Sequence, residues 1–392
     1  MDEDSQGVIS PLLWLRNKSS CLFARYFEKM VRKNLSNRIA VVLGANLRWT
    51  PFFYRYEKLL NMYSIPFDLI LWDREQIEKD ERDNLIKYTC ADATNNHDPW
   101  KIFKFIKFSL FVKKTIRRNK YSKVLFLGTY ACMPALIALF LKRNYKNKYW
   151  IDIRDITYEL IKPFYVLEKI AIKYAAFTAL SSRGFMSYLP SNDYLFIHNI
   201  DPTIDQAFEK FNRINDCENR IRISYIGNIG FFNEIKRFLC IFGNDKRYLL
   251  GFYGKGSEKV LEYCKECKIL NVEFHGAFKR EETVEYYRKT DVVYNVYGNS
   301  SANLQAALSN KLYYALKFHL PMIVSENTYM SEICNTYKFG IDFQEESNFA
   351  DRFYEWYKSF DVSKAEFDIA WNLFLNEDQK TEKHIVGFIE GC

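Results

Sequence analysis

The chain has 392 residues, 48% apolar and 27% charged. It is too long for one ordinary core and too apolar for wholesale disorder, so two domains are expected. A net charge of +8 suits nucleic acid, phosphorylated ligands or an anionic lipid surface. The nine cysteines are scattered and include one C-x-x-C, Cys264 and Cys267, with no second pair at zinc spacing. Reduced thiols, no metal site and a cytoplasmic setting are therefore expected; the acidic opening residues do not read as a secretory leader.

In chain order, residues 1–37 read as helical and basic-apolar. Short apolar runs then alternate with helical patterns. Strands are predicted over 38–45, 66–73, 123–130, 149–155, 177–182 and 194–200, each nearly continuous in apolar character, as in a parallel sheet covered on both faces. Between the second and third runs stands a basic amphipathic helix. It carries Lys101, Lys104, Lys107, Lys113, Lys114, Arg117, Arg118 and Lys120 among Ile102, Phe103, Phe105, Ile106, Phe108, Leu110, Phe111, Val112 and Ile116. That pattern fits a helix lying on an anionic membrane face, or a solvated basic surface. The longest apolar run, Ala131 to Leu141, is too short to span a bilayer.

A polar stretch, Asn212 to Arg220, reads as a linker. Further strands are predicted over 222–227, 248–254, 272–276, 291–298, 321–325 and 339–343, four of them ending in Gly227, Gly254, Gly276 and Gly298. Glycine at a strand's carboxyl end permits close backbone approach, and ligands of doubly wound sheets bind there. From Asp361 the tail is helical, with Trp371, Phe374, Leu375, Ile385, Val386, Phe388 and Ile389 as core candidates. The expected architecture is two Rossmann-like α/β domains with parallel sheets facing across a cleft, residues 1–211 and 212–360, with 361–392 crossing back onto the first.

The sharpest local signal runs from Leu308 to Ser325. Ser309 or Asn310 caps a helix whose first turn carries Lys311, and free N–H groups with a nearby cation suit a diphosphate. The turn Gly227 to Gly230 with Lys236 and Arg237, the turn Tyr253 to Ser257, and the segment Phe274 to Phe278 are further candidates. On the first half, Gly44 and Asn46 with Arg48 nearby, Arg154 and Asp155, and His198 with Asn199 end strands. P-loop, H-E-x-x-H and G-x-S-x-G motifs are absent, as is any recognisable nucleic-acid module.

The order and spacing of Tyr225–Asn228, Tyr253–Gly256, Val272–Phe278, Tyr297–Leu316 and Pro321–Ile333 resemble the donor domain of GT-B glycosyltransferases. More narrowly, they resemble the large retaining group that includes bacterial capsule and O-antigen polysaccharide transferases. Asp152–Asp155, Ala179–Phe185 and His198–Asp201 match more loosely. The resemblance implies a nucleotide-sugar donor, UDP- or GDP-linked, bound as substrate without a cofactor. Its donor set is Asn228, Gly230, Lys236, Gly254, Gly276, Ala277, Phe278, Asn303, Asn310, Lys311, Leu312 and Tyr314. Gly44, Asn46, Arg154, Asp155 and His198 form the acceptor side; no catalytic residue is assigned. The implied activity is hexosyl transfer to a glycan or lipid-linked glycan in surface polysaccharide synthesis. No D-x-D stands in an obvious metal-binding loop, so metal-independent phosphate handling is expected, and the basic helix suits a peripheral place on the inner face of the plasma membrane. Three positions depart from the family: Tyr314 replaces a ribose-binding glutamate, Ala306 an acidic partner, and Asn228 an arginine. They motivate a second reading, a non-catalytic scaffold of a polysaccharide assembly complex.

Overall fold

The computed structural model describes residues 38–79, 82–91, 101–132, 135–214 and 219–391. The helix expected over residues 1–37 lies outside them, as does part of the expected linker. Two compact units are present. One holds the described residues up to Ile151 together with Ile170–Ala176; the other holds Asp152–Lys169 and the described residues from Phe177 onward.

Seven strands form the first sheet: β1 (Ile39–Leu43), β2 (Phe67–Asp73), β3 (Leu85–Thr89), β4 (Lys123–Leu127), β5 (Tyr149–Ile153), β6 (Phe177–Leu180) and β7 (Tyr194–Phe196). Their order is β3-β2-β1-β4-β5-β6-β7. β1 pairs in parallel on both sides, Val41 standing opposite Leu69 and Leu125. β1, β2 and β5 are buried along their whole length, which is why their sequences are nearly unbroken apolar runs. β3 is one strand more than the sequence predicts. It is an edge strand whose residues alternate between half-buried and exposed, so its short stretch Leu85–Thr89 carries little apolar signal.

The second sheet has six strands: β8 (Ile221–Ile226), β9 (Tyr248–Tyr253), β10 (Val272–His275), β11 (Val292–Asn295), β12 (Met322–Ser325) and β13 (Gly340–Phe343). They run in the order β10-β9-β8-β11-β12-β13. β8 pairs in parallel with β9 and β11. The order therefore reverses between β8 and β11, as it does between β1 and β4 in the first sheet. At such a switch the flanking helices pass to opposite faces and leave a crevice at the strands' carboxyl ends.

Among the helices that cover the sheets are α1 (Phe53–Met62), α2 (Lys101–Asn119), α3 (Phe232–Phe242), α4 (Asn310–Phe318) and α5 (Phe367–Glu390). α2 buries Phe105, Phe108, Val112 and Ile116 on one stripe, and Trp72 packs against Phe105 and Phe108 at 5.2 and 5.1 Å. Its outer stripe interleaves Phe103 and Leu110 with Lys107, Lys114, Arg117 and Arg118, all exposed or half-exposed. α4 is buried on almost every side chain. Leu312 alone contributes about 1.5–3 kcal/mol by burial. The helix starts where Ser309 Oγ accepts from the Lys311 amide and stops at His319, which is left-handed. α5 packs on α4 and β7: Thr381 Oγ1 donates to the Phe196 carbonyl at 2.6 Å, and Asp378 Oδ1 accepts from the His198 amide at 2.5 Å. Among the described residues no helix is long and apolar enough to cross a membrane.

Candidate functional site

The turns after β8 and β9 approach each other closely through backbone. Gly227, Gly254 and Gly298 have φ of +114°, +142° and +80°; Gly276, also singled out by its place after a strand, is not left-handed. Gly254 is the tightest of these positions. A Cβ there would stand 1.8 Å from the Gly227 carbonyl oxygen, so no other residue fits without moving the turn.

The turn after β8 differs from the open phosphate cradle its glycines suggest. Its amides are largely spent inside the fold: Gly227 N–H donates to the Tyr253 carbonyl, Ile229 N–H to Lys255, and Gly230 N–H to the Tyr225 hydroxyl. Tyr225 in turn donates to the Asn228 carbonyl at 3.0 Å. At the start of α3 the Glu234 and Ile235 amides both donate to the Phe231 carbonyl. Phe231 precedes that helix in a left-handed conformation and provides no side-chain cap. Its ring stacks on Tyr297 at 4.5 Å. Lys236 lies half-buried on α3, its ammonium 5.2 Å from the Phe232 ring centroid.

Lys311 reaches the carboxyl ends of β8 and β11 together. Its side chain is only 6% exposed, yet among the described residues no carboxylate pairs with it. The ammonium donates to the Tyr297 hydroxyl and sits 4.0 Å from the Tyr225 ring centroid and 4.7 Å from that of Tyr297. The ring faces supply partial compensation for lost water. Burial still lowers its pKa to about 7. The fold thus holds a lysine in a nearly dry aromatic cage at a helix start, where a cation is unfavourable unless an anion arrives. Asn310, beside it, is exposed; Leu312 is core and has only its backbone to offer.

Tyr314, which the resemblance expects to replace a glutamate, has a carboxylate adjacent. Its hydroxyl donates to Asp201 Oδ2 at 2.6 Å, and Arg280 grips Asp201 with two bonds of 2.6 and 2.9 Å. Burial acts to raise the Asp201 carboxyl, but the hydrogen bonds from Arg280, Tyr314 and Thr203 outweigh it and hold it down at about 2. Tyr314 also stacks on Tyr287, 4.7 Å between centroids. Arg280 follows the segment Gly276–Phe278, of which Gly276 and Ala277 are exposed, while Phe278 packs on Tyr286 at 4.5 Å.

Asn303 and Asp155 come together within the second unit. Asn303 Oδ1 accepts from the Ile156 amide at 3.0 Å, and its Nδ2 donates to Asp155 at 3.2 Å. Asp155 keeps solvent contact, yet crowding raises its carboxyl above the ordinary range, against the pull of Asn303 and Arg154. Arg154 itself is buried, bound to Asp152, the Ile197 carbonyl and Asn199. His198 is fully buried too: one ring nitrogen faces Tyr313 at 3.0 Å and the other Glu377 at 2.8 Å. Both residues knit β5, β7, α4 and α5 together. Gly44 and Asn46 belong to the first unit, in the turn at the end of β1, where Asn46 is buried. Asn46 donates to Asp73 at 2.6 Å and accepts from the amides of Arg74 and Glu75.

The sequence singled out Lys311 but not the cage around it, nor Arg280; Asp201 stood in a quoted segment without a role. No protein-family model matches the chain, and no curated protein does. Solved structures do. Sucrose-phosphate synthase from Thermosynechococcus elongatus superposes with a TM-score of 0.63 at 11% identity, over 91% of this chain and 100% of the other. HepE of Anabaena, in complex with UDP and glucose, gives 0.58 at 9%, over 89% and 99%. WaaG, a glycosyltransferase involved in lipopolysaccharide biosynthesis, gives 0.57 at 11%, over 90% and 100%. At these identities the likeness is one of architecture: the chain has the GT-B fold, with two Rossmann-like parallel sheets.

Proposed function

We propose that this protein is a glycosyltransferase that moves a sugar from a UDP- or GDP-linked donor to a carbohydrate acceptor, lipid-linked or free, in surface polysaccharide synthesis. The observation that carries the reading is Lys311, a cation buried without a carboxylate at the switch point of a glycine-lined parallel sheet. A diphosphate is the ligand that restores its charge balance, with the α3 amides and Lys236 as further contacts. Asn228, Gly230 and Gly254 shape the loop; Gly276, Ala277 and Phe278 offer backbone to the base; Tyr314, backed by Asp201, faces the ribose; Asn303 and Asp155 stand toward the transferred sugar. Arg154 and His198 act by holding this frame. Transfer needs no metal in this scheme, because Lys311 and backbone amides stabilise the departing diphosphate. Retention at the anomeric carbon follows the family resemblance. The outer stripe of α2, with Phe103 and Leu110 among four cations, suits peripheral attachment to the anionic inner membrane face.

The test is binding and hydrolysis of UDP-, GDP-, CMP- and dTDP-sugars by the whole chain. A UDP- or GDP-sugar is expected to bind and turn over with EDTA present; silence across the panel sinks the proposal. The scaffold reading draws on Tyr314, whose hydroxyl is already committed to Asp201. If the wild type is inert and Tyr314→Glu gains nucleotide binding, that reading prevails; turnover by the wild type removes it.

A further inference from the structure

The described residues of the first unit leave Trp49 on the surface, 58% exposed, yet firmly oriented. It lies in the short 3-10 turn Leu47–Trp49 directly after β1, at the carboxyl end of the seven-stranded sheet and beside its switch point. Its indole N–H donates to Glu75 Oε1 at 3.2 Å. Arg48 pairs with the same carboxylate and places its guanidinium 5.0 Å from the Trp49 ring centroid. Glu75 Oε2 is buried, and among the described residues nothing donates to it. The platform is braced from below. Asn46 ties the β1 turn to the end of β2 through Asp73, Arg74 and Glu75, and the Leu47 amide donates to Glu78 at 3.1 Å.

A scattered surface aromatic has no fixed direction, and single ones are ordinary. An indole held in place at a strand end, with an exposed guanidinium beside it, has the chemistry of a pyranose-binding surface. The ring takes the apolar C–H face of the sugar, and the guanidinium donates to its hydroxyls, while Glu75 holds both in place. We infer that Trp49, flanked by Arg48 and Glu75, is a stacking platform for a pyranose ring of the acceptor. The inference rests on the transferase reading for the word acceptor; the site itself is argued from the first unit alone. Asn46 is a positioning residue here, acting through Glu75 and the turn.

Saturation-transfer NMR on the whole chain tests it, with the methyl α- and β-glycosides of glucose, galactose, mannose and N-acetylglucosamine as probes. At least one glycoside is expected to receive saturation on the C–H protons of one ring face. Trp49→Ala should reduce that signal about tenfold, and Trp49→Phe should keep most of it. Thermal melts confirm that both variants fold. Equal signal in Trp49→Ala, or no saturated glycoside in the wild type, overturns the inference. So does a Trp49→Ala variant that keeps its glycoside signal but loses binding to phosphatidylglycerol vesicles, since that result makes the ring a lipid contact. Absence of UDP and GDP binding in the wild type would defeat the transferase reading, while a Trp49-dependent glycoside signal would still establish the sugar site.

Discussion

The carboxyl ends of the two sheets solve different problems with different materials. At the six-stranded sheet the turns are made of left-handed glycines and backbone, and a lysine is buried among tyrosine rings with no carboxylate among the described residues to pair it. At the seven-stranded sheet the turn after β1 is held by side chains, Asn46 and Asp73 above all, and the groups that reach solvent are an indole and a guanidinium tied to one carboxylate. The first arrangement is unbalanced and awaits an anion; the second is balanced and stiff, presenting a surface. Symmetry of fold has not produced symmetry of chemistry.

The glycine-built end breaks most easily at Gly254. Gly254→Ala forces a Cβ into the Gly227 carbonyl at a φ that side chains rarely adopt, and is expected to cost about 3 kcal/mol or more in urea unfolding. Unchanged stability would mean that the glycine turns are not under the constraint described.

Lys311→Met comes next and separates stability from binding. Removing the charge should weaken UDP- or GDP-sugar binding about 10- to 100-fold by calorimetry, equal to about 1.5–3 kcal/mol, while raising Tm. The sign follows from the lowered pKa. Between pH 10.5 and about 7 the unfolded chain carries the proton and the folded chain does not, so wild-type stability rises with pH across that window and the variant loses this slope. Nucleotide affinity runs the other way: it should fall as pH is raised above about 7, because a neutral amine must first be protonated. A flat profile from about pH 6 to about pH 9 would show that Lys311 is already charged in the free protein.

The smaller effect belongs to the other sheet. Asn46→Ala removes three hydrogen bonds from a buried turn and should cost about 2 kcal/mol in thermal or urea unfolding. A loss near zero would mean that the β1 turn is held by its backbone after all, and the contrast between the sheets would disappear.

Most of the fold was legible because buried parallel strands announce themselves. Val41 and Leu125 sit in apolar runs that no surface strand tolerates, whereas β3 stayed hidden in an alternating edge stretch. The site was half legible. Lys311 stood out as a cation in a helix's first turn, and the strand-ending glycines stood out by position. The cage did not, since Tyr225 is distant from Lys311 in sequence and only pairing of β8 with β11 brings them together. Nor could the sequence tell that the amides of Gly227, Ile229 and Gly230 are consumed internally, or that Asp201 would stand behind Tyr314. Trp49 gave no signal because the turn around it has no apolar period.

Helix α5 carries one more consequence. β7 is an edge strand, and an unguarded edge is a template for adding a strand from another molecule. Thr381 covers the Phe196 carbonyl and Asp378 the His198 amide, so the margin of the sheet is capped by hydroxyl and carboxylate in place of a foreign backbone. The same helix that joins β7 to α4 therefore guards the molecule against edge-to-edge aggregation.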